Sequence, residues 1–291
     1  MDYNPFGIVE PKKSEVYLAL YKNALKLDHS KFFDQVDKDF DFKNATIKQF
    51  IDNIAKIAQV VIKKSVLMWL HGYLLYVALS DYLKKNPTID FINILETGTA
   101  RGFSSLCMAK ALHDNNRKGK IHTVDTLRHD AKMYWNCMKD EEGKHTRQEL
   151  FKGEECYELF KYIEFHTGAS LDVLNSIKLD RIHFAFLDAQ HDYVNLNHEL
   201  VYVKNRQKNR DIIVCDDYTT YNTGHLQFPG INKAIDEFKD YTKKVYYGED
   251  GEKKRGYVYL QKCDKLTVIE KKVSVTNSIK KEIKNVMIIP Y

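Results

Sequence analysis

Three carboxylates and an imidazole stand at the ends of two short apolar runs. Phe186-Leu187-Asp188-Ala189-Gln190-His191 places an acid at the end of one run and a histidine three residues later, and Val214-Cys215-Asp216-Asp217-Tyr218 places two acids at the end of the next. If both runs are strands of an open α/β sheet, their carboxyl ends meet where such sheets bind ligands, and Asp188, Asp216 and Asp217 converge. Neighbouring carboxylates repel one another unless a cation or protons intervene. The pattern therefore predicts a metal site of Asp188, Asp216 and Asp217 holding a hard divalent ion, most simply Mg²⁺. A bound cation lowers the pKa of an alcohol and fixes its position. His191, which titrates near neutrality, is the candidate base, and Asp188 is the second catalytic candidate. The plainer roles are turn capping for Asp216 or Asp217 and pocket shaping for His191.

A second group precedes these. Glu96-Thr97-Gly98-Thr99-Ala100-Arg101-Gly102-Phe103-Ser104 joins the apolar run Phe91–Leu95 to a helical stretch, Ser104 to His113. Such a turn directs backbone N–H groups and the positive end of a helix at an anionic group. Its G-x-x-x-G spacing differs from the G-x-G-x-x-G of dinucleotide sites and suits a cofactor without a pyrophosphate. Glu96 can accept from an ammonium, while Ser104 and the amides around Gly98, Thr99 and Gly102 can bind a carboxylate. This pairing suits the amino-acid end of S-adenosylmethionine. Ile121-His122-Thr123-Val124-Asp125 ends in an acid at the place where nucleotide-binding sheets hold ribose hydroxyls. Asp125 could instead cap the segment that follows.

The elements that would position these groups are legible as alternation. Strand-like runs at Lys120–Asp125, Tyr162–His166, Ile182–Asp188 and Asp211–Asp217 are mostly separated by helical material, which argues for a parallel sheet wound on both faces. Lys244–Tyr247 and Gly256–Gln261 flank Asp250-Gly251 and predict an antiparallel pair at the edge. Upstream, Ile47, Phe50, Ile51, Ile54, Ala58 and Val61 keep a helical period, and Ser65–Lys85 reads as a second, buried helix. Residues before Thr46 show no clean period and could be an arm, a lid or a helical preface. The expected organisation is an N-terminal arm and helical cap over 1–88, a catalytic domain over 89–262, and a tail over 263–291 serving as an edge strand or an oligomer contact.

Composition narrows the function. The 291 residues carry 45 Lys+Arg against 40 Asp+Glu, and the formal charge of +5 is spread along the chain rather than gathered as a nucleic-acid binder requires. The five cysteines form no CxxC pair, which points to a reduced, cytoplasmic setting. The start, MDYNPFGIVE, lacks the basic and apolar regions of a signal peptide, and Val66–Leu79 is too short to span a membrane.

Taken in order, LETGTARGFSS, HTVD, Gly168-Ala169-Ser170-Leu171-Asp172, FLDAQHDY and IIVCDDY resemble the motifs of class I S-adenosylmethionine-dependent methyltransferases. The catechol O-methyltransferase-like and macrocin O-methyltransferase-like groups are the most similar. The resemblance covers roughly residues 91–261. It implies a Rossmann-like, seven-stranded, mostly parallel sheet with an antiparallel terminal strand, helices on both faces and a helical N-terminal extension. By the same resemblance, Glu96 and Ser104 hold the methionine end of S-adenosylmethionine, Asp125 the ribose and Ser170 the adenine edge, with Asp188 close to the cofactor. Related enzymes carry a lysine or histidine three residues after the metal-binding acid, as His191 stands after Asp188. Where the macrocin-like enzymes read D-x-D-H, this chain has Gln190 in place of the second acid, which speaks against that carboxylate as base. The function expected is O-methylation of a small polyhydroxylated acceptor such as a sugar, with a catechol or phenol as the alternative. An NAD-dependent oxidoreductase and a non-catalytic cofactor-binding protein are the readings from other classes.

Overall fold

The computed structural model describes residues 10–42, 44–249 and 253–263. The central sheet is built of β1 (Ile92–Thr97), β2 (Gly119–Asp125), β3 (Ile163–Thr167), β4 (Phe184–Leu187), β5 (Ile212–Cys215), β6 (Thr220–Tyr221), β7 (Tyr241–Glu249) and β8 (Lys253–Lys262). Strands run in the order β3-β2-β1-β4-β5-β8-β6, with β7 also pairing with β8. β1 to β5 are mutually parallel, and β8 runs antiparallel to β5, β6 and β7. This is the mostly parallel, Rossmann-like sheet expected, with a two-residue eighth strand, β6, added to the seven. The Asp250-Gly251 reversal and the tail after Cys263 lie outside the described residues.

The helices are α1 (Ser14–Ala24), α2 (Ser30–Phe40), α3 (Ala45–Ala58), α4 (Leu70–Lys85), α5 (Phe103–Asp114), α6 (Ser170–Val173), α7 (Tyr193–Lys204) and α8 (Pro229–Glu237). Alternate strand residues face opposite layers, as pleating requires. Ile92, Ile94, Phe184, Phe186, Ile212 and Val214 pack with α3, α4 and α5. Leu95, Ala185, Leu187, Ile213 and Cys215 pack with α7 and α8. The stretch before Thr46 is a helical preface: Tyr17, Phe32 and Val36 are buried, and Ser14 Oγ donates to Met138 O at 3.0 Å. α4 starts at Leu70, five residues later than the Ser65 expected from hydropathy. Among the described residues, no helix is long and apolar enough to cross a membrane. All five cysteines are free.

The region between β2 and β3 departs from the expected α/β alternation. Residues 126–162 hold three 3₁₀ segments, Met138–Glu142, Glu149–Phe151 and Glu155–Tyr162, in place of an α-helix. Their interior is polar as well as apolar. Trp135 is fully buried with its Nε1 donating to His145 O at 2.7 Å, so it packs rather than recognises. The carbonyl of Trp135 accepts from buried Arg101 Nε at 2.6 Å.

At the opposite end of the sheet, Asp211 fixes α4 to the start of β5. Its carboxylate is fully buried and accepts from Tyr82 Oη at 2.7 Å, Arg181 Nε at 2.9 Å and Nη2 at 2.7 Å, and Lys208 N at 2.6 Å. Removing one member of such a cluster leaves desolvated donors without partners. Asp211→Ala is expected to lower unfolding stability by about 3 kcal/mol, read as a reduced urea midpoint with an unchanged slope.

Candidate active site

The glycine turn is set by close packing. Gly98 N donates to Val124 O at 2.9 Å, and Asp188 N donates to Thr97 O at 3.0 Å, so the ends of β1, β2 and β4 meet at this residue. Gly98 has φ +88, and a Cβ there would stand 1.9 Å from the Asp188 carbonyl oxygen. Gly102 has φ +90 and caps α5. Thr99 Oγ1 and Thr123 Oγ1 share a hydrogen bond of 2.5 Å. Below them Arg147, also buried, donates from Nε to Ala100 O at 2.7 Å, its guanidinium lying over Trp135 and Phe165.

Two clefts adjoin at Gly98. One, of about 260 Å³, is lined by Gly98, Asp125, Thr126, Gly168, Ala169, Ser170 and Gln190, among others. The other, of about 280 Å³, is lined by Gly98, Thr99, Ser104, Asp188, His191, Asp216 and Asp217, with Lys63, His71, Arg101 and Arg255 around them. Of the residues singled out in the sequence, Asp125 and Ser170 line the first cleft, Thr99, Ser104, Asp188, His191, Asp216 and Asp217 the second, and Gly98 both. Gly102 and Glu96 line neither cleft.

Several of these side chains are already engaged. Glu96 is fully buried and accepts from the hydroxyls of both Ser104 and Ser105. Burial pushes its pKa up. The two residues expected to grip opposite groups of one ligand thus hold each other. Asp125 accepts from Ala100 N and Leu127 N, both at 2.7 Å, which ties the glycine turn to the end of β2. A carboxylate has about four lone-pair sites, so Asp125 keeps acceptor capacity toward the cleft.

Ser170 opens α6 beneath the first cleft and faces Glu199 of α7. Glu199 accepts from Thr97 Oγ1 at 2.8 Å. It is buried, and desolvation pushes its pKa up to about 7 despite the hydroxyls of Ser170 and Thr97. A carboxyl raised on folding stabilises the fold while protonated, and that contribution is lost as pH rises through the folded pKa. Between about pH 5 and pH 8 the protein should lose up to about 3 kcal/mol of stability from this group. Glu199→Gln, which preserves shape and hydrogen bonding, should flatten that fall in thermal scans across the same pH range.

The acids are arranged unequally. Asp217 has φ +63, a left-handed conformation that aspartate tolerates better than most residues. It meets His191 Nε2 at 2.8 Å through Oδ2. A ligand atom from each of Asp188, His191 and Asp217 lies within 4.8 Å of the others. Asp216 is not part of that group; its Oδ1 accepts from Asp217 N at 2.6 Å. Burial and the neighbouring acids push Asp188 and Asp216 up. The hydrogen bond to Asp217 raises His191 against the effect of desolvation.

The basic residues around these acids escaped sequence reading. Arg255, from β8, favours the ionised forms of Asp188 and Asp216. Lys63 is exposed overall, yet desolvation, Arg255 and Arg101 bring it down to about 8. His71 of α4 stacks on Phe186 with ring centroids 5.8 Å apart, and burial lowers it to about 3, so it is neutral at pH 7. None of the three lies in a strand-end motif.

Residues 95–218, the stretch from the glycine turn through the paired acids, match the family described as a methyltransferase domain. Over that stretch the chain is similar to methyltransferase domains. Among solved structures, the chain is similar to an O-methyltransferase from Bacillus cereus in complex with SAH, with TM-score 0.50 and 15% identity over 79% of this chain and 97% of that one. A Klebsiella pneumoniae protein provisionally described as an O-methyltransferase matches with TM-score 0.50 and 14% identity over 79% of this chain and 96% of that one. At such identities the likeness establishes the fold alone. No curated protein sequence matches the chain.

Proposed function

We propose that the protein transfers the methyl group of S-adenosylmethionine to a hydroxyl of a small polyhydroxylated acceptor, such as a sugar or sugar-containing metabolite. The observation that carries this reading is the 2.8 Å contact between Asp217 and His191, in the cleft that Asp188 and Gly98 also line. The donor set suits the cofactor: Asp125 retains lone pairs for ribose hydroxyls, Gly168–Ser170 border the space for a base, and Asp188 offers negative charge toward a sulfonium. Bound there, S-adenosylmethionine supplies an electrophilic methyl group.

The chain's own residues then have distinct tasks. Because a carboxylate only accepts, His191 in its neutral form carries its proton on Nε2 and gives it to Asp217, leaving Nδ1 as the proton acceptor. Nδ1 of His191 would take the acceptor's hydroxyl proton as that methyl group is transferred to the oxygen. Gln59, Lys63 and Arg255 give the acceptor side polar walls, which suits a hydroxylated ligand better than the flat apolar slot a catechol requires.

A divalent cation such as Mg²⁺ fits the carboxylates of Asp188 and Asp217, with Asp216 behind them, and would hold and acidify the acceptor hydroxyl. The second reading, transfer without metal, draws on the same contact. If His191 Nε2 binds a metal it cannot also donate to Asp217, and Arg255 and Lys63 already offset acidic charge. Calorimetry with S-adenosylhomocysteine, with and without Mg²⁺, combined with methyl-transfer assays over sugars, nucleotide sugars and catechols, tests both. Failure to bind S-adenosylhomocysteine would overturn the methyltransferase reading, and full turnover in chelator would remove the metal alone.

A further inference from the structure

A second group of metal-ligating side chains lies at the sheet edge, on the face opposite Ile121 and Ile163. β3 is the outermost strand, and in its register with β2, His122 stands across from Glu164 while Val124 stands across from His166. The two histidines and the glutamate therefore share one face, since side chains two apart on a strand point the same way. His122 Nδ1 and His166 Nε2 are 3.2 Å apart. Glu164 Oε1 lies 3.8 Å from the first and 3.5 Å from the second.

These separations fit poorly as hydrogen bonds and well as a coordination polyhedron. The imidazoles could share one proton, but the glutamate oxygen is beyond the 2.7–3.2 Å range of N–H···O bonds from either ring. Bonds of 2.0–2.1 Å to a tetrahedral ion set ligand atoms about 3.3 Å apart. All three distances come within about 0.5 Å of that edge. Burial lowers both imidazole pKa values, with the charges of Glu164, His166 and Lys120 as smaller influences on His122 and that of Glu164 on His166. Neutral imidazole is the ligating form. The side chains of His122 and His166 are 13% and 21% exposed against 50% for Glu164, so a fourth position can be reached by water.

We propose that His122, Glu164 and His166 form a structural binding site for a borderline divalent transition ion, Zn²⁺ by preference, that pins the edge strand β3 to β2. Two imidazoles and one carboxylate favour such an ion over Mg²⁺. The strands it joins lead directly into the nucleoside cleft: Asp125 ends β2, and Gly168 N, just past β3, donates to Asp125 O at 2.8 Å. An ion here rigidifies that wall without touching the acids at Asp188 and Asp217.

Zn²⁺ titration of the metal-stripped full chain, in competition with a chromogenic chelator and followed by thermal melting, tests the site. The active-site acids are a second place for zinc, so an Asp188→Asn/Asp217→Asn variant is titrated in parallel. One Zn²⁺ per chain should bind that variant and raise its melting temperature, with no rise from Mg²⁺. His166→Ala should lose this ion. Glu164→Gln, at an exposed position that the fold tolerates, should weaken its binding by at least about tenfold, as even loss of an outer partner does. Zinc binding retained in both His166→Ala and Glu164→Gln, or absent from the Asp188→Asn/Asp217→Asn variant, would overturn the proposal.

Discussion

Asp217→Asn should reduce kcat/KM for methyl transfer by about 10²–10⁴, the usual contribution of a positioned proton acceptor, while leaving S-adenosylhomocysteine affinity within a few-fold of wild type. The split follows from geometry. Asp217 reaches His191 Nε2 at 2.8 Å from a left-handed backbone, and it lines the cleft that holds Asp188, Ser104 and Thr99 but not the one bordered by Asp125 and Ser170. Asparagine keeps the side chain's shape and tolerates the same φ. Its amide can present a nitrogen to the ring and stabilise the wrong tautomer, and it cannot balance an imidazolium. His191→Ala should fall in the same range, and the double variant should be little worse than either single one, because groups acting as a unit are not additive. His191 also rests against Phe228, with ring centroids 4.5 Å apart, so Phe228→Ala should give a smaller loss through misplacement of the ring. Steady-state kinetics and cofactor calorimetry on the same preparations decide the matter. An Asp217→Asn enzyme with wild-type turnover, or one that no longer binds S-adenosylhomocysteine, would refute the assignment.

The strand-end acids were legible because period and punctuation both survive in a single sequence: apolar runs stop at Asp125, Asp188 and Asp216, and parallel packing brings such ends together. The glycine turn was legible for the same reason, since glycines four apart mark a backbone that must come close to something. What these signals cannot reveal is a partner drawn from another element. Lys63 precedes α4, His71 sits within it and Arg255 comes from β8, and only the tertiary fold carries them to Asp188. The triad was accordingly expected to need a metal for charge balance, although the chain supplies cations of its own. The carboxylate grouping also shifted. Asp216 and Asp217 are neighbours in sequence, but the left-handed turn at Asp217 sends its side chain to His191 and leaves Asp216 capping the next amide. Glu96 and Ser104 were assigned to a ligand by their types, yet a strand followed by a tight turn and a helix brings residues eight apart into contact. Between β2 and β3 the chain forms short 3₁₀ turns around buried Trp135 and Arg147, whose hydrogen bonds to carbonyls replace a regular helical face. Tyr17 and Val36 were hidden for another reason: Phe32, Val36 and Phe40 of α2 do keep a helical period, but α1 and α2 are only 11 residues each, and what they dock on comes from other elements.

Gly98→Ala should be the most damaging single substitution in the turn, costing at least about 4 kcal/mol of unfolding stability and abolishing measurable S-adenosylhomocysteine binding. Two penalties combine at this residue. The φ of +88 costs an L-residue about 1–3 kcal/mol by itself. The larger penalty is steric, because the new Cβ would sit 1.9 Å from the Asp188 carbonyl oxygen and 3.1 Å from Ala189 Cα. That neighbour is backbone, held at the end of β4 by the bond from Asp188 N to Thr97 O, so it cannot swing aside as a flexible side chain would. Relief requires β1 and β4 to separate where both clefts meet, moving Asp188 with them. Gly102→Ala provides the internal comparison. Its φ of +90 carries similar backbone strain, but the nearest atom to an added Cβ is Arg147 Cδ at 3.8 Å, an ordinary contact. It should therefore cost only about 1–3 kcal/mol and weaken the cofactor modestly through the start of α5. Chemical denaturation of the two variants separates strain from collision. Equal losses would show that conformation alone dictates glycine at both positions, whereas a Gly98→Ala protein much less stable than Gly102→Ala would show that the turn is glycine because the strand carrying Asp188 passes against it.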